Sequence, residues 1–413
     1  MKKQKLLALI LALALALTVF AGCGGQQGSP SPEQPAVNTE PIKIGHIADL
    51  TGVESLTGQQ MKTGMDFAIK SLGGMIAGRP VEIIEGDSQS SQPAAAVDVA
   101  RKMVEQDGVV AIIGPNQIPH KSAVADYMKE AGVPLLFYSP TPFNILQDND
   151  WLVGVIGTNL QMPSMMGDYA YKELGYRRVH TLSRDDASGR SFIQPFVDRF
   201  TELGGTIVTQ QWAPQPTLDY APYFATMSDD VDALVAWVSG ADAIAFWTAW
   251  YELGINEKIP VVAAFHGGFT DFMVAEALNA SKPDVAEAMI GTFAPLPYVR
   301  NIQNPENEEF VNKWVAEFGQ DPRHSSAGDC AQTVYLLAAA IESLNGDTSP
   351  DKLIKAILEL DFNGPEGRQY FENGSHASTK DYYIGRVVRM ADGSFNYEVI
   401  KKYDNIPPTG VAG

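Results

Sequence analysis

Cysteine is nearly absent: Cys23 and Cys330 are the only two in 413 residues. That excludes a disulfide framework, a cysteine-ligated zinc site and a dithiol redox pair. Cys330 lies in the apolar run CAQTVYLLAAAI, so it reads as a buried structural thiol and not as a nucleophile. The six histidines (His46, His120, His180, His266, His324, His376) are scattered, and no two stand at metal-ligand spacing. No Gly-x-Ser-x-Gly elbow and no Walker Gly-x-x-x-x-Gly-Lys occurs, and Gly73, Gly74 and Gly78 do not form Gly-x-Gly-x-x-Gly. Basic charge is also short, with 30 Lys and Arg against 49 Asp and Glu and a formal net charge of −19. Such a chain repels nucleic acid and anionic lipid head groups. The expectation is a protein that is not an enzyme and needs no cofactor or metal.

What the chain does contain begins with a leader. Lys2, Lys3 and Lys5 precede an apolar run from Leu6 to Leu17 that continues to Phe20. A basic start followed by a short apolar stretch predicts a signal peptide over 1–22. A spanning helix would need about 20 apolar residues. Phe20-Ala21-Gly22-Cys23 resembles the lipobox of bacterial lipoproteins, with Phe20 where Leu is usual. Cys23 is therefore the expected lipidation site, and the membrane is reached by a lipid anchor only. Plain secretion is the competing reading. Residues 23–41, rich in Gly, Gln, Ser and Pro, predict a flexible tether. Without the three leader lysines the net charge of −19 becomes about −22. The folded part from about Ile42 is too long for one core, so two lobes are expected.

Strand and helix signals then alternate. Strands are predicted at 42–48, 80–86, 109–114 and 133–138, with helices at 59–71, 93–106 and 119–131 between them. The cycle restarts near Asn159, with strands at 177–183, 205–212, 232–238, 260–265 and 288–294. Alternation of this kind predicts βαβ units and parallel sheets. Beyond it come helices at 307–318, 327–344 and 350–360, then a hairpin of 382–390 and 396–402 joined at Asp392-Gly393. The fold class is α/β, with two doubly wound parallel-sheet lobes. In such sheets ligands bind at the carboxyl ends of the strands. His46 and His180 fall inside strands and read as sheet residues. The acidic pairs Asp185-Asp186 and Asp229-Asp230 read as helix caps. The sequons at Asn279 and Asn373 read as chance.

IKIGHIADLTGVESLTGQQ, VVAIIGPNQ, AGVPLLFYSPTP, DALVAWVSGADA and DFNGPEGRQYFENGSHASTKDYYIGRVV, in this order and spacing, resemble the type 1 periplasmic-binding-protein family. The similarity is to its leucine/isoleucine/valine and amide-binding branch and spans the mature chain. The resemblance implies two lobes joined by a three-strand hinge: 42–158 with 296–380, and 159–295 with 381–413. It implies a ligand cleft between them. On the first lobe it points to Thr57, where some relatives place a Tyr, then Asn116, Gln117, Ile118 and His120 after AIIG, and Ser139, Thr141 and Phe143 after LLFY. Independently, Gly114-Pro115-Asn116 opens a helix, whose first N–H groups suit a carboxylate. The same residues also read as ordinary turn and cap positions.

On the second lobe the resemblance points to Asn159, Ser188, Trp237, Ser239 and His266. Trp237 ends a buried strand and reads equally as core or as a cleft wall. Relatives that bind amino acids place an acid after the strand matching VVAAF, whereas here Phe265-His266-Gly267-Gly268 follows with no carboxylate. The ligand classes left open are amino acids, amides and aromatic or aliphatic carboxylates. The function implied is an extracytoplasmic solute-binding lipoprotein whose partner is an ABC permease, on the cell surface or in the periplasm. A ligand-sensing lipoprotein partnering a receptor and a secreted α/β hydrolase are the alternatives.

Overall fold

The computed structural model describes residues 39–90, 92–322, 325–372 and 374–411. The expected signal peptide, Cys23, His324 and Asn373 lie outside them.

The first lobe is built on a six-stranded sheet of order β2-β3-β1-β4-β5-β6. Its strands are β1 (Ile42–Ala48), β2 (Met75–Ile76), β3 (Arg79–Asp87), β4 (Ala111–Ile113), β5 (Leu135–Phe137) and β6 (Leu152–Gly154). All neighbours are parallel except β2 and β3. Apolar β-branched runs buried on both faces produce this arrangement: Ile44, Ile112 and Leu135 are wholly buried. Helices Ser55–Ser71 and Ser325–Ser343 pack together here. Gly64 permits the approach, since a methyl there would meet Cys330 Cβ at 2.9 Å. Cys330 is buried and unpaired, and burial pushes its thiol well up.

The second lobe carries a nine-stranded sheet. Its parallel core is β7 (Arg178–Arg184), β8 (Thr206–Ala213), β9 (Ala233–Trp237), β10 (Val261–Ala263) and β11 (Phe293–Leu296), in the order β8-β7-β9-β10-β11. The sheet is mixed and not purely parallel. Strands β12 (Asp361–Gly364), β13 (Gly367–Tyr370), β14 (Thr379–Arg389) and β15 (Phe395–Ile406) join it antiparallel. β12 and β13 were not expected as strands. They are four residues each, polar, and closed by Gly364-Pro365-Glu366-Gly367. The strand expected over 288–294 begins only at Phe293, because Gly291 turns the chain at φ +91°. His46 in β1 and His180 in β7 are buried in the sheets.

Three stretches of chain run side by side between the lobes. Gly154 N donates to His376 O at 2.7 Å, and Ser378 Oγ donates to Val155 O at 2.7 Å. Buried Gln161 ties the group together: Nε2 donates to Ser378 O (3.1 Å) and Ile406 O (2.8 Å), and Oε1 accepts from Thr158 N (2.6 Å) and Tyr382 OH (3.1 Å). Among the described residues no helix is long and apolar enough to cross a membrane.

Candidate ligand-binding cleft

Each sheet reverses its winding once, and these two points define the cleft. In the first sheet the chain passes from β1 to β3 on one side and later to β4 on the other. The loops after β1 and β4 therefore diverge and leave a crevice at the strand ends. In the second sheet the reversal falls between β7 and β9. A cavity is lined by residues from both crevices.

From the first lobe come Glu54, Thr57, Met61, Asn116, Gln117, Ile118, Ser139 and Pro140, with Ser325, Ser326 and Asp329 of helix Ser325–Ser343. Gly58 sets how near helix Ser55–Ser71 lies to the end of β1, since a Cβ there would collide with Asp49 O. Helix Ile118–Ala131 begins at the cavity without a side-chain cap, and in its first turn Ile118 and His120 carry N–H groups while Pro119 carries none. Behind this wall Lys121 is wholly buried. Its Nζ donates to Ser139 Oγ (2.7 Å), Ser139 O (2.9 Å), Pro140 O (2.7 Å) and Thr141 Oγ1 (3.2 Å), and burial holds its pKa well below the usual lysine range. Ser139 Oγ in turn donates to Asn116 O at 3.2 Å. Lys121 thus fixes the loop after β5 to the loop after β4.

The second lobe contributes an aromatic wall and polar loops. Phe192 and Phe265 stack at 4.2 Å, and Trp237 meets Phe192 edge-on at 4.8 Å. Trp237 Nε1 donates to Gly267 O at 2.8 Å, which fixes its ring. Asp271 caps helix Phe272–Ser281, accepting from Gly268 N (2.8 Å), Met273 N (3.2 Å) and Val274 N (3.3 Å). Burial pushes its pKa up against those bonds. Gly268, at φ +71°, lies so close to Ser239 that a Cβ would stand 2.6 Å from Ser239 Cβ.

Among the described residues, hydrogen bonds cross the cleft at two places. Arg184, at the end of β7, donates from Nη1 to Ser239 Oγ (2.6 Å) and to Glu54 Oε1 (3.3 Å), and Ser239 Oγ donates to the same oxygen at 3.1 Å. Its Nε and Nη2 hold Asp186. Burial raises the pKa of Glu54, with Arg184 working against it. The second contact joins His266 to Ser325. His266 Nδ1 lies 3.0 Å from Pro295 O, a pure acceptor, so Nδ1 carries the proton and Nε2 accepts from Ser325 Oγ at 2.7 Å. Burial drives the His266 pKa down to about 3, so the ring is neutral at physiological pH. Asp329 adds a carboxyl whose pKa burial and neighbouring Glu366 push well up, and its Oδ1 has no hydrogen-bond partner.

Of the residues singled out from sequence, Thr57, Asn116, Gln117, Ile118, Ser139, Ser188, Trp237, Ser239 and His266 line the cavity. Four do not. His120 is buried behind the helix start, its Nδ1 3.7 Å from Asp49. Thr141 is buried against Lys121. Phe143 begins a short helix, Phe143–Gln147. Asn159 is turned to Ser191, donating to its carbonyl at 3.3 Å. Among the lining residues that sequence reasoning missed are Glu54, Arg184, Phe192, Phe265, Asp271, Ser325 and Asp329. The segment after VVAAF does lack an acid, but Asp271 stands three residues beyond Gly268, and Glu54 and Asp329 add carboxyls from the first lobe.

Residues 41–394 match the family described as "Periplasmic binding protein". The Leu/Ile/Val-binding protein homolog 6 of Brucella melitensis is 22% identical over 376 residues, covering 89% of this chain and 93% of the relative. An ABC transporter substrate-binding protein from Sphaerobacter thermophilus superposes with a TM-score of 0.80 at 27% identity, covering 88% of this chain and 98% of its own. A solute-binding protein of an ABC transporter from Rhodopseudomonas palustris, solved with 3,4-dihydroxybenzoic acid, superposes at 0.79 with 26% identity, covering 90% of this chain and 99% of its own.

Proposed function

The chain belongs to the periplasmic binding protein family, and from that premise we propose that it is the extracytoplasmic solute-binding lipoprotein of an ABC importer. In this reading it holds one small ligand between lobes 42–158 with 296–380 and 159–295 with 381–413, and presents the closed form to a permease. The observation that carries it is the facing of two sheet-reversal points across one cavity, with polar loops on one side and an aromatic wall on the other. Ligand contacts made only when both lobes meet favour the closed state. The anchor at Cys23 rests on the sequence of the leader alone.

The ligand fits as a compact body against Phe192, Phe265 and Trp237, with its polar end among Thr57, Asn116, Ser139 and the open helix start. Amino acids, amides and aromatic carboxylates share that description. A name among the relatives includes Leu, Ile and Val, and another relative holds a dihydroxybenzoic acid. Ser325 and His266 would be the nucleophile and base of a hydrolase. Yet His266 has no carboxylate on Nδ1, and a pKa of about 3 makes it a poor proton acceptor. We read the pair as a clasp between the lobes.

Native mass spectrometry of freshly purified protein is expected to show one retained small solute. Thermal shift of the stripped protein against amino acids, amides and aromatic acids should then identify its class. Folded, stripped protein that retained nothing and answered to no member of that panel would sink the reading.

A further inference from the structure

We propose that Glu54 determines which acidic ligands the cleft accepts, because it occupies the Arg184 guanidinium that a ligand carboxylate would otherwise claim. The inference rests on the cavity being the ligand site. Among the described lining residues Arg184 is the only lysine or arginine. A guanidinium is the natural two-pronged partner of a carboxylate. Here it is already committed on both sides. Nε and Nη2 face Asp186, which is itself fixed by capping helix Ala187–Glu202 through Gly189 N at 2.8 Å. Nη1 faces Ser239 and, across the cleft, Glu54.

Two carboxylates therefore surround one cation, and both partners of the cross-cleft pair are buried, Glu54 at 7% and Arg184 at 5% exposure. A third carboxylate brought by a ligand meets a guanidinium with its charge spent and a neighbouring anion shielded little by water. Glu54 is held in place on both parts: its backbone N donates to Ser90 Oγ at 3.2 Å, which fixes the main chain, and its side-chain Oε1 accepts from Ser239 Oγ. Glu54 thus acts as an internal substitute for a ligand acid group. Plain monoanions are disfavoured, and ligands whose charge is balanced by an ammonium are spared.

The test is calorimetric titration of stripped protein with 3,4-dihydroxybenzoate, a monoanion, and leucine, a zwitterion. Glu54→Gln keeps the acceptor for Arg184 and Ser239 but removes the charge. It is expected to bind 3,4-dihydroxybenzoate roughly tenfold or more tighter than the unaltered protein. Leucine should gain nothing. The gain should vanish when Arg184→Met is added. A merely structural role would weaken both probes together.

Glu54→Ala serves as a second variant, with the same direction expected. No tighter binding of the monoanion, including no binding by any variant, would overturn the proposal. So would a gain that survives Arg184→Met, or two Glu54 variants that both fail to fold. A retained solute without a Glu54 effect removes this inference alone. The monoanion gain in the Glu54 variants, with no solute retained and no panel response from the unaltered protein, removes the transport reading and leaves this one.

Discussion

At the scale of single residues, Trp237 is the one tryptophan lining the cavity among the described residues, with Trp247, Trp250 and Trp314 buried elsewhere. Ligand addition is expected to change the emission of the unaltered protein, and Trp237→Phe should abolish that change while the melting temperature holds. His266 supplies a pH prediction. Its folded pKa of about 3 lies below the usual 6.5, so below about pH 6.5 the unfolded chain takes up a proton that the folded chain refuses. Its contribution to stability is complete above that pH and falls by up to about 1.4 kcal/mol per unit as pH drops towards the folded value. Urea unfolding of the unaltered protein and His266→Gln across this window should show a shallower acid slope for the variant. Parallel slopes would contradict the assignment. The cavity-lining positions Asn116, Gln117, Ser139, Ser239 and His266 were legible because each follows a strand end. Arg184 was not, being the last residue of β7, nor was Asp329, which sits within an apolar helical run. A charge in such a position carries no periodic signal of its own, and only the fold brings it to the cleft.

Elements show where packing overrides pattern. Gly58 stands on a helix, where alanine would ordinarily be preferred. Asp49 O already fills the space that a side chain at this position would need, so Gly58→Ala must push the helix start away from β1. A loss of about 1–3 kcal/mol is expected, read as a lower urea midpoint at unchanged slope, together with weaker ligand binding through displaced Thr57. Gln161 is the corresponding residue between the lobes. Gln161→Leu strands four buried partners and should cost about 3 kcal/mol. Hydrogen exchange at Thr158 N is expected to speed up, and protection equal to that of the unaltered protein would show the network to be dispensable. The long parallel strands and their helices were legible from apolar runs alternating with helical spacing. The hairpin of β12 and β13 was not, because its polar four-residue strands are held by β14 and not by their own composition.

Across the molecule, two lobes share one cavity, so filling it should draw them together. Small-angle scattering is expected to give a smaller radius of gyration once the retained solute is restored to stripped protein, and identical curves would argue against closure. The doubly wound plan was legible because it follows from element order alone. Which loops meet depends on the relative placement of the lobes, which no local pattern records. Both cavity-facing edges are carboxyl ends of strands, and the opposite edges carry turns at Gly73-Gly74 and at Gly393, where a Cβ would meet nothing within 4 Å and the positive φ favours keeping the glycines and inserting beside them. A fluorescent reporter grafted at either turn would ride on its lobe far from the solute. The chain could thereby become an optical gauge of its own ligand with its recognition chemistry untouched.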